Sequence, residues 1–353
     1  MTTVRVSHVG DFAELGARWR DLEQRADASF FQSWTWVGCL AAERFPDPIL
    51  VEATEDGRTV ALALFNRVRR RVGPSVLYLG ESGTPALDCP YIEQNGVLAE
   101  TGRTEELNGL CLRAVASRYD LVLSGVSDSV LATLRRSAGL VRVVRSQASP
   151  FIELAGLRRA GGDYLAGLSA NTRQQIRRSD RFYRRDGPIG MERADSVEAA
   201  HTMLDEMAAL HQATWMARGQ PGSFARPFFR RFHRDLIAVA LTRGEVAMLK
   251  ISYDETIIGI LYNFHYRGRM LAYQSGFAYR AEDAQAKPGL TCHHQAIRFA
   301  LDQEIDIYDF LAGGGRYKRS LTDQSHRQNW VESGSFWSPR LLFRTGLSVV
   351  RWW

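Results

Sequence analysis

Apolar and polar positions in the first half of the chain follow helical spacing at first and strand-like alternation afterwards. The strand-like runs are separated by the turn formers Asp56-Gly57 and Gly73-Pro74. The predicted helices are residues 12–26, 33–45, 105–117 and 130–137, and the predicted strands are residues 4–7, 49–53, 59–69, 76–79, 120–124 and 141–144. The order is therefore two helices, a strand meander, and then alternating helices and strands.

The second half of the chain repeats this order. Helical spacing precedes three alternating runs, and a further helix then leads into a short apolar run before Gly313-Gly314-Gly315. The predicted helices are residues 173–186, 198–217, 228–241 and 290–303, and the predicted strands are residues 246–252, 257–266, 270–277 and 305–311. The repetition predicts an α/β fold made by duplication of one unit.

One helix of the second half has clear end signals. Thr172 and Gln175 have the spacing of a capping box, and Gly187-Pro188 is a stop signal. Arginines recur every four residues on this helix and therefore share one face, which is either a solvated surface or an anion-binding stripe. They are Arg173, Arg177 and Arg181.

Composition narrows the class of protein. Hydrophobic residues make up 45% of the chain and charged residues 24%, which is typical of a chain folded throughout, and the net charge of +6 favours anionic partners. The start lacks a signal-peptide pattern and no 18-residue apolar run occurs, so a cytoplasmic location is expected. The four cysteines form no C-x-x-C pair, which argues against a zinc ribbon and a disulfide framework.

The last residues, 339–353, form a basic aromatic tail. They combine tryptophan, phenylalanine and aliphatic residues with arginine and contain no acid. This composition suits a segment at a lipid interface, although a tail packed on the protein's own core remains the alternative. Specific DNA binding is not expected, because no helix-turn-helix or zinc-finger pattern accompanies the basic residues.

Five segments together resemble one family. They are Phe30-Phe31-Gln32-Ser33-Trp34, Leu168-Ser169-x-x-x-Arg173-x-x-Ile176-Arg177-Arg178, His211-x-x-x-Trp215-x-x-Arg218-Gly219, Lys287-Pro288-Gly289-Leu290, and Tyr308-Asp309-Phe310 with Tyr317-Lys318. In this order they resemble GNAT-fold acyltransferases of the CelD type from cellulose biosynthesis, which are related to the FemAB transferases. The resemblance implies tandem GNAT-like units, each a mixed sheet flanked by helices, at residues 1–155 and 156–338.

The resemblance also implies an acyl-donor site in the second unit. In that fold the pantetheine arm lies between two separated strands, and the next helix receives the pyrophosphate at its N-terminus. The matching positions are Lys287, Gly289 and Leu290, with Arg173 and Arg177 as further donor-binding candidates. Only one glycine of the usual Gln/Arg-x-x-Gly-x-Gly/Ala loop is present, so the donor is either acyl-CoA or an acyl carrier protein.

Acyl transfer to an amine needs a proton acceptor and an acid for the departing thiolate. His211 is the first candidate base and His265 the second, and Asp309 is a candidate base or orienting group at the end of an apolar strand. Tyr317 is the candidate acid, and Lys318 a candidate for holding phosphate or the oxyanion. The alternatives are a satisfied buried histidine at 211 and a structural Tyr-Lys pair at 317–318.

The acceptor side has its own candidates. Trp215 and Arg218 follow His211 on the same predicted helix, and Asp88 and Tyr91 lie in a loop of the first half. Cys292-His293-His294 is not expected to bind a metal, because adjacent helical residues point about 100° apart. The sequence predicts substrate contacts at Trp215, Arg218, Asp88 and Tyr91, and it predicts no metal site.

The predicted function is an acyltransferase that moves an acyl group from acyl-CoA or an acyl carrier protein to an amine of a lipid or of an envelope or polysaccharide precursor. It would work in the cytoplasm, with peripheral contact to the inner membrane through the tail. Three alternatives stay open. They are a small-molecule N-acetyltransferase, a FemAB-like aminoacyl transferase, and a non-catalytic membrane-associated scaffold in lipid or polysaccharide export.

Overall fold

The computed structural model describes residues 1–185, 187–280, 283–313 and 315–334. Its contacts divide the chain into two compact units, Met1–Gln147 with the described residues from Arg327 onward, and Ala148–His326. Residues 327–334, which the sequence analysis assigned to the second unit, therefore belong to the first. The predicted tail at 339–353 lies outside the described residues.

Helices and strands are numbered here in chain order. The helices are α1 (Phe12–Gln24), α2 (Trp34–Val37), α3 (Ala41–Arg44), α4 (Thr104–Ala116), α5 (Asp128–Ser137), α6 (Leu154–Arg159), α7 (Ala170–Tyr183), α8 (Val197–Met216), α9 (Pro227–Thr242), α10 (Pro288–Asp302) and α11 (Arg316–Leu321). The strands are β1 (Thr3–His8), β2 (Pro48–Glu55), β3 (Arg58–Val68), β4 (Val76–Leu79), β5 (Leu98–Ala99), β6 (Asp120–Ser127), β7 (Leu140–Glu153), β8 (Ile189–Arg193), β9 (Val246–Tyr253), β10 (Thr256–Tyr266), β11 (Arg269–Phe277), β12 (Ile307–Asp309) and β13 (Ser325–Gly334).

The first unit is built on a mixed sheet. Its strand order is β1-β2-β3-β4-β6-β13, in which β4 and β6 are parallel and the other neighbours antiparallel. The apolar side of α4, including Leu107 and Cys111, packs into a core with Leu77 and Leu121 of the sheet. Burial raises the pKa of the Cys111 thiol to about 12, and all four cysteines are free.

The second unit has helices on both faces of a second mixed sheet. From the end of β7 the strand order is β12-β11-β10-β9-β8, in which β11 and β12 are parallel. Leu249 of β9 lies in a core with Ile176 of α7 and Ile297 of α10. On β10, Tyr262 contacts His233 of α9. Alternating strand residues therefore face α7 and α10 on one side and α8 and α9 on the other.

Several predicted boundaries were wrong for local reasons. The helix predicted at 33–45 is two short helices, because Leu40 adopts a left-handed φ of 49° that a continuous helix does not allow. The helix predicted to start after Thr172 starts at Ala170, and its N-cap is Ser169, whose hydroxyl accepts a hydrogen bond from the Thr172 N–H at 3.2 Å. The strand predicted at 305–311 is limited to Ile307–Asp309.

Candidate acyl-transfer site

The sheet of the second unit opens between β11 and β12. Only the first three residues of β11 pair with β12, in the register Arg269↔Ile307 to Leu271↔Asp309. After β12 the chain turns away, because the Phe310 N–H donates to the Pro150 carbonyl and Leu311 takes a left-handed φ of 58°. The rest of β11 stays paired with β10 as far as Phe277. We call the space beside residues 272–277 the strand opening.

Helix α10 begins at the same end of β11. Lys287 precedes the helix and Pro288 occupies its first turn, where a missing N–H costs nothing. The N–H groups of Leu290 and Thr291 both donate to the Lys287 carbonyl, whereas the Gly289 N–H has no partner among the described residues. The Gly289 amide is therefore left for an anion at the positive end of the helix dipole.

The start of α10 is held in place by α7. The Lys287 N–H donates to the Ser179 hydroxyl at 3.0 Å, and His294 Nδ1 lies 2.8 Å from Asp180 Oδ2. Arg173 lies six residues before Ser179, about 9 Å along the helix. Its guanidinium donates to the Ala166 carbonyl. The structure thus shows neither Arg173 nor the exposed Arg177 in contact with residues 287–290, and donor binding by these arginines stays a prediction.

An aromatic cluster lines the strand opening. The imidazole of His293 lies between Phe277, the last residue of β11, and Phe310, the first residue after β12, at ring-centroid distances of 6.0 and 5.3 Å. Tyr317 of α11 stacks on the same imidazole at 5.4 Å, and Tyr308 of β12 contacts it edge-on. We call these five residues the aromatic cluster. Sequence reasoning considered His293 only as a metal ligand and missed this position.

Tyr317 and Lys318 have separate roles in the structure. Burial raises the pKa of the Tyr317 phenol, which keeps it protonated near neutral pH and suits an acid. The Lys318 ammonium instead donates to the carbonyl oxygens of Phe310 at 2.7 Å and of Leu311 and Ala312 at 3.3 Å. Because these carbonyls use its donors, the structure favours the structural alternative for Lys318 over phosphate or oxyanion binding.

Asp309 is also engaged by its own surroundings. Its buried carboxylate accepts hydrogen bonds from the Leu311 N–H at 2.8 Å and the Ser149 hydroxyl at 3.1 Å, and His326 Nε2 lies 3.6 Å away. Burial raises the pKa of this carboxyl group. The geometry fits the predicted orienting role, since the carboxylate fixes the turn after β12, and it does not support the predicted role as a base.

His211 lies on α8 where this helix crosses β11. A Cβ on Gly276 would collide with the carbonyl oxygen of Met207, so helix and strand are in close contact one turn before His211. The imidazole is 6% exposed and contacts the rings of Trp215 at 5.8 Å and Phe224 at 5.2 Å. Burial lowers the pKa of His211 to about 4, so it is neutral at physiological pH.

Gln212 determines which nitrogen of His211 carries the proton. The Gln212 Nε2 donates to the Pro221 carbonyl at 2.7 Å, and its Oε1 lies 3.3 Å from His211 Nδ1. An amide oxygen only accepts, so Nδ1 is the protonated nitrogen and Nε2 keeps a lone pair. This tautomer is the one that a general base requires.

The end of α8 and Tyr279, the second residue after β11, form a partly exposed surface. The Arg218 guanidinium lies 5.8 Å from the centroid of the Trp215 ring and interacts electrostatically with the Tyr279 hydroxyl. Tyr279 is 55% exposed and Met216 69% exposed. We call Trp215, Met216, Arg218 and Tyr279 the acceptor surface. Tyr279 was missed in the sequence because the turn after a strand carries no periodic signal.

Three predicted residues lie elsewhere. His265 pairs with Met270 near the start of β11, seven residues and about 23 Å from Phe277, so it is not part of the strand opening. Burial lowers the pKa of His265. Asp88 lies in the first unit, where its carboxylate accepts hydrogen bonds from Ser82 and Gly83 and so holds its own loop. Tyr91 is half-buried in the first unit.

A cavity of about 610 Å³ occurs in another part of the second unit, between the start of α7 and the segment after α11. It is bordered by Ile152 and Glu153, which pair with Tyr308 and Ile307, whereas the strand opening lies beyond the other end of β12. None of the predicted site residues lines this cavity. It is therefore separate from the candidate site.

Among the residues that the structure describes, no three His, Cys, Asp or Glu side chains are grouped as a metal ion would require. Within the same ranges, no helix combines the length and the apolar character needed to span a bilayer.

Acid should destabilise the protein partly through His211. Its pKa is about 4 in the folded state and 6.5 in the reference state, so only the unfolded chain binds a proton between these values. The stabilising contribution is complete above pH 6.5 and is lost as the pH falls toward 4. For His211→Phe, we expect the difference in unfolding free energy between pH 7.5 and pH 5 to shrink by about 2 kcal/mol. Urea unfolding at both pH values measures this difference, and equal pH dependence in the two proteins would contradict the burial argument.

Comparisons with known proteins define the class. Residues 170–319 match the family model described as the acetyltransferase (GNAT) domain. This range includes the strand opening, the start of α10, His211 and Tyr317. The second unit therefore carries a GNAT acetyltransferase domain, and its fold is that of an acyltransferase of this type. The predicted α/β fold of two GNAT-like units with mixed sheets is confirmed.

Solved structures extend the fold similarity to most of the chain. L-PGS from Bacillus licheniformis has a TM-score of 0.57 at 11% identity, over 92% of this chain and 94% of that one. FemX has a TM-score of 0.57 at 10% identity, over 93% and 96%. The C-terminal domain of a protein from Agrobacterium fabrum, assigned as a lysylphosphatidylglycerol synthetase, has a TM-score of 0.56 at 11% identity, over 91% and 92%. These identities support the fold alone.

Sequence comparison gives no closer relative. No curated protein sequence matches the chain significantly. The relationship to CelD-type enzymes stays a prediction, as does the identity of the donor and acceptor.

Proposed function

We propose that this protein transfers an acyl group from a pantetheine thioester, carried by coenzyme A or an acyl carrier protein, to an amine of a lipid or envelope precursor. The observation that carries the proposal is the strand opening, where β11 loses its pairing with β12 after three residues and α10 begins beside it. An extended amide-containing arm fits an opening between strands, because both offer backbone hydrogen-bonding groups.

The donor phosphates would bind at the first turn of α10. The Gly289 N–H has no partner among the described residues, and Lys287 supplies a positive charge beside it. Coenzyme A would use both its pyrophosphate and its arm here, and an acyl carrier protein would use the single phosphate of its prosthetic group. The shared requirement is an anion at a helix N-terminus.

The chemistry requires two proton transfers. The neutral amine attacks the thioester carbonyl carbon, and His211 Nε2, directly or through a water, takes the proton that the nitrogen loses as the C–N bond forms. The C–S bond then breaks, and Tyr317 donates its proton to the leaving thiolate. The protonation states are compatible with this assignment, since neutral His211 can accept a proton and protonated Tyr317 can donate one.

The acceptor surface supports an amphiphilic acceptor. Aromatic and apolar side chains with one guanidinium suit a molecule with an apolar part and a negative group, such as a lipid precursor with a phosphate. The proposal includes a location at the cytoplasmic face of a membrane, where a lipid acceptor would be found.

Aminoacyl transfer is the second candidate. It is supported by the fold similarity to FemX and to a protein assigned as a lysylphosphatidylglycerol synthetase, with TM-scores of 0.57 and 0.56. In that reaction the donor would be an aminoacyl ester, so no free thiol would be released.

One experiment separates the candidates. The protein is incubated with acetyl-CoA, palmitoyl-CoA, a palmitoylated acyl carrier protein or an aminoacyl-tRNA and with amine acceptors that range from small amines to amino lipids, and products are identified by mass spectrometry. Acyl amides together with free thiol would support the proposal, and the preferred chain length would distinguish lipid acylation from plain acetylation. Transfer only from aminoacyl-tRNA would replace it by the second candidate. Absence of any transfer and any donor binding would favour a non-catalytic scaffold.

Gly289→Ala tests the donor-phosphate position. A Cβ there would lie 3.4 Å from the Phe277 ring, which is ordinary contact, and alanine favours helix, so stability should be unchanged or slightly raised. The methyl group would, however, occupy the space in which a phosphate approaches the amide. Since a hydrogen bond to a charged group contributes about 1.5–3 kcal/mol, affinity for coenzyme A should fall about 10- to 100-fold. Calorimetric titration measures this affinity.

The control for this variant is Gly167→Ala in the same unit. A Cβ at Gly167 would meet no atom within 4 Å. It should therefore leave affinity for coenzyme A unchanged. Unchanged affinity for coenzyme A in Gly289→Ala would show that the donor phosphate does not bind at the first turn of α10.

A further inference from the structure

His293 has one nitrogen that the fold uses and one that it does not. The side chain is 2% exposed, and Nδ1 lies 2.9 Å from the Tyr308 hydroxyl. Nε2 is buried and has no hydrogen-bond partner among the described residues. A buried polar atom without a partner costs free energy, so its persistence calls for a physical reason.

The Tyr308 hydroxyl fixes the tautomer of this histidine. Tyr308 is fully buried, and His293 Nδ1 is the acceptor that the structure gives to its O–H. Nδ1 is therefore the unprotonated nitrogen, and Nε2 carries the hydrogen of the neutral ring. The unused group is thus an N–H donor. Burial lowers the pKa of His293 to about 3, in agreement with a neutral ring.

The position of the ring indicates what the donor faces. Phe277 and Phe310 contact the imidazole from the two strands. Phe310 directly follows the last residue of β12 that pairs with β11, and Phe277 is the last residue of β11, at the far end of the strand opening. His293 also lies four residues after Gly289 on α10, one turn below the predicted phosphate position. A chain that runs from phosphates at Gly289 into the strand opening would pass this N–H.

We propose that His293 Nε2 binds a carbonyl oxygen of the donor's pantetheine arm, either an amide or the thioester itself. This inference rests on the proposed function and identifies the residue that recognises the arm rather than the nucleotide. Tyr317, which stacks on the ring, is the half-buried member of the aromatic cluster. Its ring moves aside when the arm enters, and its hydroxyl then lies next to the thioester that it is proposed to protonate.

The chain provides a matched control for a test. His233 of α9 is also fully buried, its Nδ1 lies 3.3 Å from the Tyr262 hydroxyl, and it is surrounded by Phe229, Phe232 and Tyr273. It faces the opposite side of the sheet from α10. His233→Phe therefore makes the same chemical change in a similar aromatic setting on the other face of the sheet.

The experiment compares coenzyme A with adenosine 3′,5′-bisphosphate, which lacks the pantetheine arm, by calorimetric titration. The Kd of the bisphosphate divided by the Kd of coenzyme A measures what the arm contributes, together with the one phosphate that joins the arm to the nucleotide. In His293→Phe we expect this ratio to fall about tenfold while the Kd of the bisphosphate is unchanged. His233→Phe should keep the wild-type ratio. His293→Gln, whose amide places an N–H near the position of Nε2, should keep most of it.

Two results would overturn the inference. If the wild-type protein binds coenzyme A more tightly than the bisphosphate and His293→Phe keeps that full ratio, the arm does not use His293, although the proposed function stands. If the wild-type protein binds neither coenzyme A, nor free pantetheine, nor an acyl carrier protein with its phosphopantetheine group, the proposed function fails together with the inference. If His293→Phe folds poorly, His293→Gln and Tyr308→Phe are used for the test instead. Tyr308→Phe should lower the ratio, because the His293 ring then loses the hydroxyl that holds it in one tautomer.

Discussion

Replacement of His211 by phenylalanine is expected to lower kcat about 10²- to 10⁴-fold, the usual contribution of a general base. Phenylalanine keeps the ring contacts with Trp215 and Phe224 but removes the Nε2 lone pair. Affinity for coenzyme A should not change, since His211 lies on α8 and the predicted phosphate position on α10. The measurement is thiol release from the preferred acyl-CoA with the preferred amine.

The pH dependence of the reaction gives a second readout for His211. Because the pKa of His211 is about 4, its titration should not shape the rate near neutral pH. The rate should instead rise with pH as the acceptor amine loses its proton, whose reference pKa is about 10.4 for a lysine-like amine. His211→Ala should partly recover activity with added imidazole, which a purely structural role would not produce.

His201 on the same helix is the matched control for His211. Its Nε2 lies 3.0 Å from the Arg234 carbonyl, so it has a structural partner. His201→Phe should keep kcat within a few-fold of wild type. Full activity in His211→Phe would show that His211 is not the general base. The proton would then be taken by a chain of waters or by the acceptor itself.

Replacement of Gly276 by alanine is expected to destabilise the protein by about 3 kcal/mol. The new Cβ would collide with the backbone carbonyl of Met207 and lie 3.0 Å from the Leu210 Cβ. A backbone atom cannot rotate away as a side chain can, so α8 must move off β11. Since His211 is one turn further along α8, activity should fall together with stability. Urea unfolding and the thiol-release assay measure the two effects.

Gly190→Ala serves as the control for the Gly276 substitution. Gly190 is also a strand residue, on β8, and a Cβ there would meet Ser252 at an ordinary 3.8 Å. We expect little change in stability or activity. Normal stability in Gly276→Ala would show that the contact between α8 and β11 tolerates displacement.

Much of the architecture follows from local patterns. Most helices and strands in both halves could be predicted, because amphipathic periods of 3.6 and 2 reflect which face of an element is buried. The elements that were missed are α6, α11, β5, β8 and β13. His211 could be predicted as buried for the same reason, since Leu204 and Met207 share its side of α8. The helix start at Pro288 and Gly289 could also be predicted from the sequence. Proline favours the first turn of a helix, and glycine has no side chain to cover its backbone N–H.

The assignment of chemical roles depended on contacts between distant segments. Lys318 resembles a free cation in the sequence, but the turn after β12 brings three carbonyl oxygens to its ammonium group. His265 lies in an alternating strand near other candidates in the chain, yet the antiparallel register places it at the far end of β11. His293 received its position in the strand opening from β11, α11 and the residue after β12, through contacts that the periodicity of α10 does not report.

The sequence by itself determined the elements, the duplicated order and the residue types available for acyl transfer. Only the tertiary structure decided which side chains meet at the strand opening and which are already occupied. The physical reason is that periodicity reports burial, whereas a catalytic or binding role requires a group whose hydrogen-bonding capacity the fold leaves unused. That capacity is set by partners that the tertiary structure brings together, whether they are near or far in the chain.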